Sequence, residues 1–149
     1  MSNLNAALKF IFWRSFVESL KKFFRRDKFA EHAGIELMEA SPGRAKARMK
    51  IEDYHLNGVG IVHGGAVFTL ADLVFAVASN SHGRVAVAIN ASISYYKAVS
   101  EGVLIAEAEE TSLNPKLAGY TIRVTHETEG LIAVFQGMVY RKKESLPEA

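Results

Sequence analysis

Five residues within one short stretch of this 149-residue chain could act together on a carbonyl group: Asn57, His63, Gly64, Gly65 and, nine positions after that histidine, Asp72. Gly64 and Gly65 open a helix predicted over 64–80. The first amides of a helix have no partner within it, the helix dipole puts partial positive charge there, and glycine lets a ligand approach the backbone closely. Such a mouth can stabilise an oxyanion, each donor contributing ~3 kcal/mol. The plain alternative is that two glycines fit a tight turn. Asp72 falls mid-helix between Leu70, Leu73, Val74 and Phe75. Burying a lone carboxylate is costly, and the only polar residue three or four positions away is Thr69, so no helical ion pair can hold it. An unpaired acid in an apolar helix points to a general base or a nucleophile, with a structural hydrogen bond as the other reading.

Eight residues of helix span ~12 Å, too far for Gly64 and Asp72 of one helix to touch the same small group. Two such helices lying antiparallel across a two-fold axis would bring Asp72 of one chain to the glycines of the other. A homo-oligomer, at least a dimer, is therefore expected. Asn57 before Gly58 is a turn signal as well as a candidate site residue. His63 can either join the site or hold the loop at the helix start. No metal-ligand spacing is visible among the five histidines, and His55, His82 and His126 read as structural or exposed.

The elements that must position these residues follow from periodicity. Residues 1–30 place Leu8, Ile11, Phe12, Phe16, Leu20 and Phe24 at helical spacing among basic residues, an amphipathic helix. From Ile35 the pattern changes to alternating runs, with a hairpin over Ile35–Ala40 and Ala45–Ile51 turned at Ser41-Pro42-Gly43. A Gly-rich loop over 52–63 leads to the helix at 64–80, apolar nearly all round and so predicted to be buried. Four more strands are expected over Val85–Tyr96, Val103–Thr111, Ala118–Thr128 and Leu131–Arg141. An α+β fold, a long antiparallel sheet curled round one central helix, satisfies that order.

The spacing H-x-N-x-x-G-x-V-H-G-G over residues 55–65, followed by Asp72, resembles the hotdog thioesterases of the phenylacetic-acid-degradation, 4-hydroxybenzoyl-CoA thioesterase-like type. The resemblance covers about residues 27–143, leaving 1–26 as an N-terminal extension and 144–149 as a tail. It implies the hotdog fold and hydrolysis of an aryl- or medium-chain acyl-CoA to free acid and coenzyme A. Coenzyme A is then part of the substrate, with no separate cofactor and no metal. It also implies two equivalent sites per dimer and a tetramer as a dimer of dimers. Asp72, Gly64, Gly65, His63 and Asn57 take catalytic positions, and Phe68, Phe75 and Tyr95 are expected to line the acyl pocket. Lys116 matches a lysine of the family's strand-connecting turn, and Arg84 and Lys97 are further candidates for the phosphates. Two rival functions remain, a hotdog dehydratase or hydratase and a non-catalytic binder of acyl-CoA or lipid. Against the first, the central helix carries no histidine beyond His63.

Composition bounds the rest. With 49% apolar residues the chain can bury a core of its own, and with no cysteine it can use neither disulfides nor thiolate chemistry. The net charge of +2 is too small for a nucleic-acid surface, but residues 1–30 carry +5 and the remainder −3. The basic helix is expected to pack on the protein or a sister subunit, or to touch an anionic membrane through residues 1–26. No run is long enough to span a bilayer, and the protein reads as cytoplasmic.

Overall fold

The computed structural model describes residues 2–147, with side chains from residue 6 onward. Helices α1 (Ser2–Phe24) and α2 (Lys28–His32) precede the hairpin β1 (Ile35–Ser41) and β2 (Arg44–Lys50). A single 3-10 turn at Asp53–His55 and a loop lead into α3 (Gly64–Asn80). Strands β3 (Arg84–Tyr95), β4 (Val103–Leu113), β5 (Leu117–His126) and β6 (Gly130–Ser145) complete one six-stranded antiparallel sheet, ordered β1-β2-β4-β5-β6-β3. The expected sheet round a central helix is present. β6 runs on to Ser145, so the tail assigned to 144–149 begins inside a strand, and its last two residues lie outside the described ones.

Alternation along the strands explains the layering. On β4, Leu104, Ala106 and Ala108 are buried under α3, while Glu107 and Glu109 point outward and pair with Lys46 and Arg44 of β2. The pairs Ala47↔Ala106 and Ala45↔Ala108 form a smooth floor on which Leu70, Val74 and Val77 of the helix rest. Gly137 of β6 is required by this packing, since a Cβ there would lie 2.6 Å from the Phe75 ring.

Two features depart from expectation. The short helix α2 was not foreseen; Asp27 caps it by accepting from the Ala30 amide at 2.9 Å, and Gly34 at φ +68° ends it. And α3 is not covered all round: Gly65 and Asp72 are exposed and Phe68, Thr69 and Ala76 half-buried, so one stripe of the helix stays open in the protomer. The last strand in sheet order, β3, is open too. Among the described residues it pairs with β6 alone, and residues 87–92 are exposed on both faces, Ile89 by 56%.

Candidate active site

The loop before α3 is built to fix two side chains. His55, 3% exposed, is held by both ring nitrogens: Nε2 donates to the Ala33 carbonyl at 2.8 Å, which leaves Nδ1 to accept from the Glu52 amide at 3.0 Å. Its own carbonyl accepts from the His63 amide at 2.7 Å. Between these anchors the chain folds back on itself, with Asn57 and Ile61 sharing a backbone bond at 2.8 Å and Gly60 at φ +79° making the turn. Asn57 Oδ1 accepts from the amides of Val59 at 3.1 Å and Ile61 at 3.3 Å. The oxygen of Asn57 is therefore committed to the turn, while no described group accepts from its Nδ2.

His63 occupies the N-cap of α3. Its Nδ1 accepts from the Gly65 amide at 2.8 Å, and its carbonyl accepts from Ala66 and Val67. This divides the two glycines that the sequence treats as equivalent. The Gly65 N–H is consumed by the cap, which argues against it as an oxyanion donor in this arrangement. Among the described residues the Gly64 N–H has no acceptor, so it is the donor left for a ligand. Tyr95 lies across Gly64, its hydroxyl donating to the Gly64 carbonyl at 2.9 Å, and a Cβ at Gly64 would meet that ring at 3.1 Å. Burial lifts the Tyr95 phenol above its ordinary value.

Two clefts meet at this helix end. One, of about 360 Å³, is lined by Asn57, Gly64, Tyr95, Lys97 and Ile132. The other, about 560 Å³ and mostly apolar, is walled by Phe29, Tyr54, His63, Gly65, Phe68 and Thr69. Thr69 donates to the Gly65 carbonyl at 2.8 Å, one turn before Asp72.

Asp72 stands on the open stripe of α3 and lines neither cleft of its own protomer. No described hydrogen bond or ion pair engages its carboxylate. The side chain reaches solvent, yet the protein atoms crowding it raise its pKa above the ordinary 3.8, with the nearby negative charge of Asp27 adding to the same effect. An unpaired carboxylate with a raised pKa is suited to taking a proton.

The remaining candidates scatter. Phe75 is 1% exposed and packs on Phe135 and Tyr120, with ring centroids 5.3 and 5.8 Å away. In this protomer it is a core residue rather than a pocket wall, because its ring is buried between α3 and the sheet at the margin of the open stripe. Phe68 stands between core and cleft, its ring 5.2 Å from Phe135. Arg84, expected to meet phosphate, instead donates to the carbonyls of Lys142, Pro115 and Arg141, clamping a sheet corner. Lys97 is paired with Glu129. Lys116 is exposed in a turn where Asn114 Oδ1 accepts from the amides of Lys116 and Leu117. Arg84 and Tyr95 begin and end β3, ~36 Å apart along an extended strand, so one protomer does not bring all the candidates together. The reading of the sequence missed Phe29 and Tyr54 as cleft walls. The signal for Phe29 was the Asp27 cap followed three residues later by Ala30 and then Gly34. Among the described residues no three His, Asp or Glu side chains gather to hold a metal.

Comparison with known proteins meets this geometry. Residues 59–133 match the thioesterase superfamily. A protein of Archaeoglobus fulgidus named as a candidate esterase is 44% identical over 88% of this chain and 86% of its own length. The acyl-coenzyme A thioesterase PaaI of Escherichia coli is 31% identical over 79% of this chain and 85% of its own. The solved structure of the E. coli PaaI protein from the phenylacetic acid degradation operon superposes with a TM-score of 0.83 at 27% identity, covering 87% of this chain and 95% of that one.

Proposed function

This chain belongs to the thioesterase superfamily, and from that premise we propose that it hydrolyses acyl-CoA thioesters at a site shared between two protomers. It is a hotdog-fold thioester hydrolase of PaaI type. In the proposed reaction the Gly64 N–H and Asn57 Nδ2 donate to the thioester carbonyl oxygen, and Asp72 of the partner protomer takes a proton from water. The water oxygen forms the new C–O bond, the C–S bond breaks, and the proton leaves with the coenzyme A thiolate. His63 keeps the helix mouth in place by capping Gly65.

The observation that carries this reading is the free Gly64 amide at the mouth of α3 and the unpartnered Asp72 on the uncovered stripe of the same helix, ~12 Å apart along its axis, a gap that a second helix closes. The open edge of β3 supports the same dimer. A long apolar edge strand exposes a row of unpaired backbone groups, and pairing β3 with its two-fold copy would run the α3 stripes antiparallel. It would also carry the Arg84 and Lys116 end of one protomer toward the Tyr95 end of the other, where Lys116 remains available for phosphate. The apolar cleft of about 560 Å³ suits an aryl or medium-chain acyl group.

The test is thiol release from a panel of acyl-CoAs by wild type and Asp72→Asn. The chain has no cysteine, so the protein adds no thiol background. Wild type is expected to release thiol from saturated and enoyl thioesters alike without hydrating the double bond, and a fully active Asp72→Asn protein would overturn the assignment. Single turnover in heavy-oxygen water tests for the nucleophilic route: water attacking the Asp72 carbonyl of an acyl-Asp72 anhydride leaves label in that carboxylate, which general-base attack does not do.

A further inference from the structure

Helix α1 changes character halfway along. From Trp13 onward one face is held by the body: Leu20 is 1% exposed, Phe24 packs on the core, and the Phe16 ring lies 3.8 Å from where a Gly83 Cβ would stand. From Ala6 to Phe12 no described residue covers the helix. Every side chain from Ala6 to Phe12 is exposed, with Leu8 at 57%, Ile11 at 64%, Phe10 at 66% and Phe12 at 75%. Four large apolar side chains standing in water on one helical turn and a half are a concentrated apolar patch with no occupant.

The charges around the patch select its partner. At 100° per residue Arg14, Lys22 and Arg25 fall on the same outward side as Leu8 and Ile11, and all three are exposed. Residues 1–30 carry +5. A second copy of the same segment would bring +5 against +5, and protein interface cores are depleted of such charges. A surface that is anionic at its face and apolar below it complements both features. We propose that α1 seats the protein on an anionic lipid surface, with Leu8 and Ile11 entering the boundary between headgroups and acyl chains, Phe10 and Phe12 flanking them on either side, and Arg14 and Arg25 over the lipid phosphates. The aliphatic stem of Lys9 runs along the apolar patch while its ammonium stays at headgroup level. No helix of the described residues is long and apolar enough to cross a membrane, so the helix lies in the surface.

Flotation of the whole protein with vesicles tests this without substrate, so it fails or succeeds separately from thioester hydrolysis. Binding is expected to vesicles of phosphatidylcholine mixed with phosphatidylglycerol and not to phosphatidylcholine alone, and it should weaken with added salt. Leu8→Ser/Ile11→Ser/Phe12→Ser is expected to lower partitioning by about tenfold or more, and Arg14→Gln/Arg25→Gln by about tenfold, with thermal melting unchanged for both. Absence of binding to the anionic vesicles, or binding that the serine variant leaves intact, overturns the proposal. So does a serine variant whose mass in solution falls below that of wild type, which would assign the patch to a contact between copies.

Discussion

The two ends of α3 are made of similar parts and treat them differently. At the C-terminal end Asn80 accepts from the Ala86 amide and donates to the Ala76 carbonyl, and Ser81 Oγ donates to Ala78 while accepting from the Gly43 amide. His82 meets Glu110 at 2.6 Å, and the Tyr120 hydroxyl donates to the same carboxylate oxygen at 2.7 Å. At the N-terminal end another histidine caps Gly65 with one nitrogen, but the Gly64 N–H and the Asn57 Nδ2 are left with capacity to spare, as is the Asp72 carboxylate halfway along the helix, which the proposed dimer brings to the partner's open end. A fold that saturates one end of its central helix and leaves the other open is holding the second for something that arrives later.

Substitution at both ends gives the sharpest contrast. Asp72→Asn is expected to cost about 10²- to 10⁴-fold in turnover, the range for a general acid or base, with the melting temperature no lower than wild type. Asn57→Asp follows at about 10²-fold: the new side chain keeps an oxygen for the Val59 and Ile61 amides, so the loop survives, but it loses the Nδ2 donor. Turnover close to wild type in that variant would return Asn57 to a turn residue alone. The closed end should behave in reverse. Glu110→Ala leaves the Tyr120 hydroxyl, on a residue 2% exposed, without its acceptor and is expected to cost about 1–3 kcal/mol of stability, with turnover per folded molecule unchanged. Gly137→Ala, which drives a methyl group into the Phe75 ring, should destabilise by about 1–3 kcal/mol in the same activity-neutral way. Altered acyl preference in Gly137→Ala would restore Phe75 as a pocket wall.

Much of this contrast was written locally and so could be read from the sequence. The limits of α3, Gly64 and Asn80, fall where the glycine pair and the last apolar residues place them, and the strand limits follow turn residues such as Gly102, Asn114-Pro115 and Gly130. What escaped depends on contacts between distant segments. That His63 takes the Gly65 amide and spares Gly64 is a matter of one side-chain rotamer at the cap. That Phe75 points into the sheet while Asp72 stays on the open stripe depends on which side of α3 the sheet covers, and a helix apolar nearly all round does not announce its covered side. Arg84 looked like a free cation because its three carbonyl acceptors come from residues 31 to 58 positions away.

The smallest effect separates the two ends by sign. Crowding raises the folded-state pKa of Asp72 above 3.8, so its ionised form is disfavoured by folding. That penalty is present at neutral pH and disappears as pH falls through the raised value to 3.8. At Glu110 burial pushes the other way, but the bonds from Tyr120 and His82, with the charges of His82 and Arg141, outweigh it and hold the carboxyl below 4.5. Its contribution stabilises the fold above pH 4.5 and is lost as pH falls through the lowered value. Melting curves recorded from neutral to acid pH should therefore show Asp72→Asn at or above wild type at neutrality, converging on it toward pH 3.8. Glu110→Gln should start below wild type and converge on it only below pH 4.5. Catalysis reads the first group directly, since a carboxylate that must accept a proton loses activity as pH falls through its pKa, and the acid limb of the rate profile should lie above pH 3.8. An acid limb at or below that value would mean that Asp72 is not the group whose ionisation the reaction needs, and the open end of the helix would then have to find its base elsewhere.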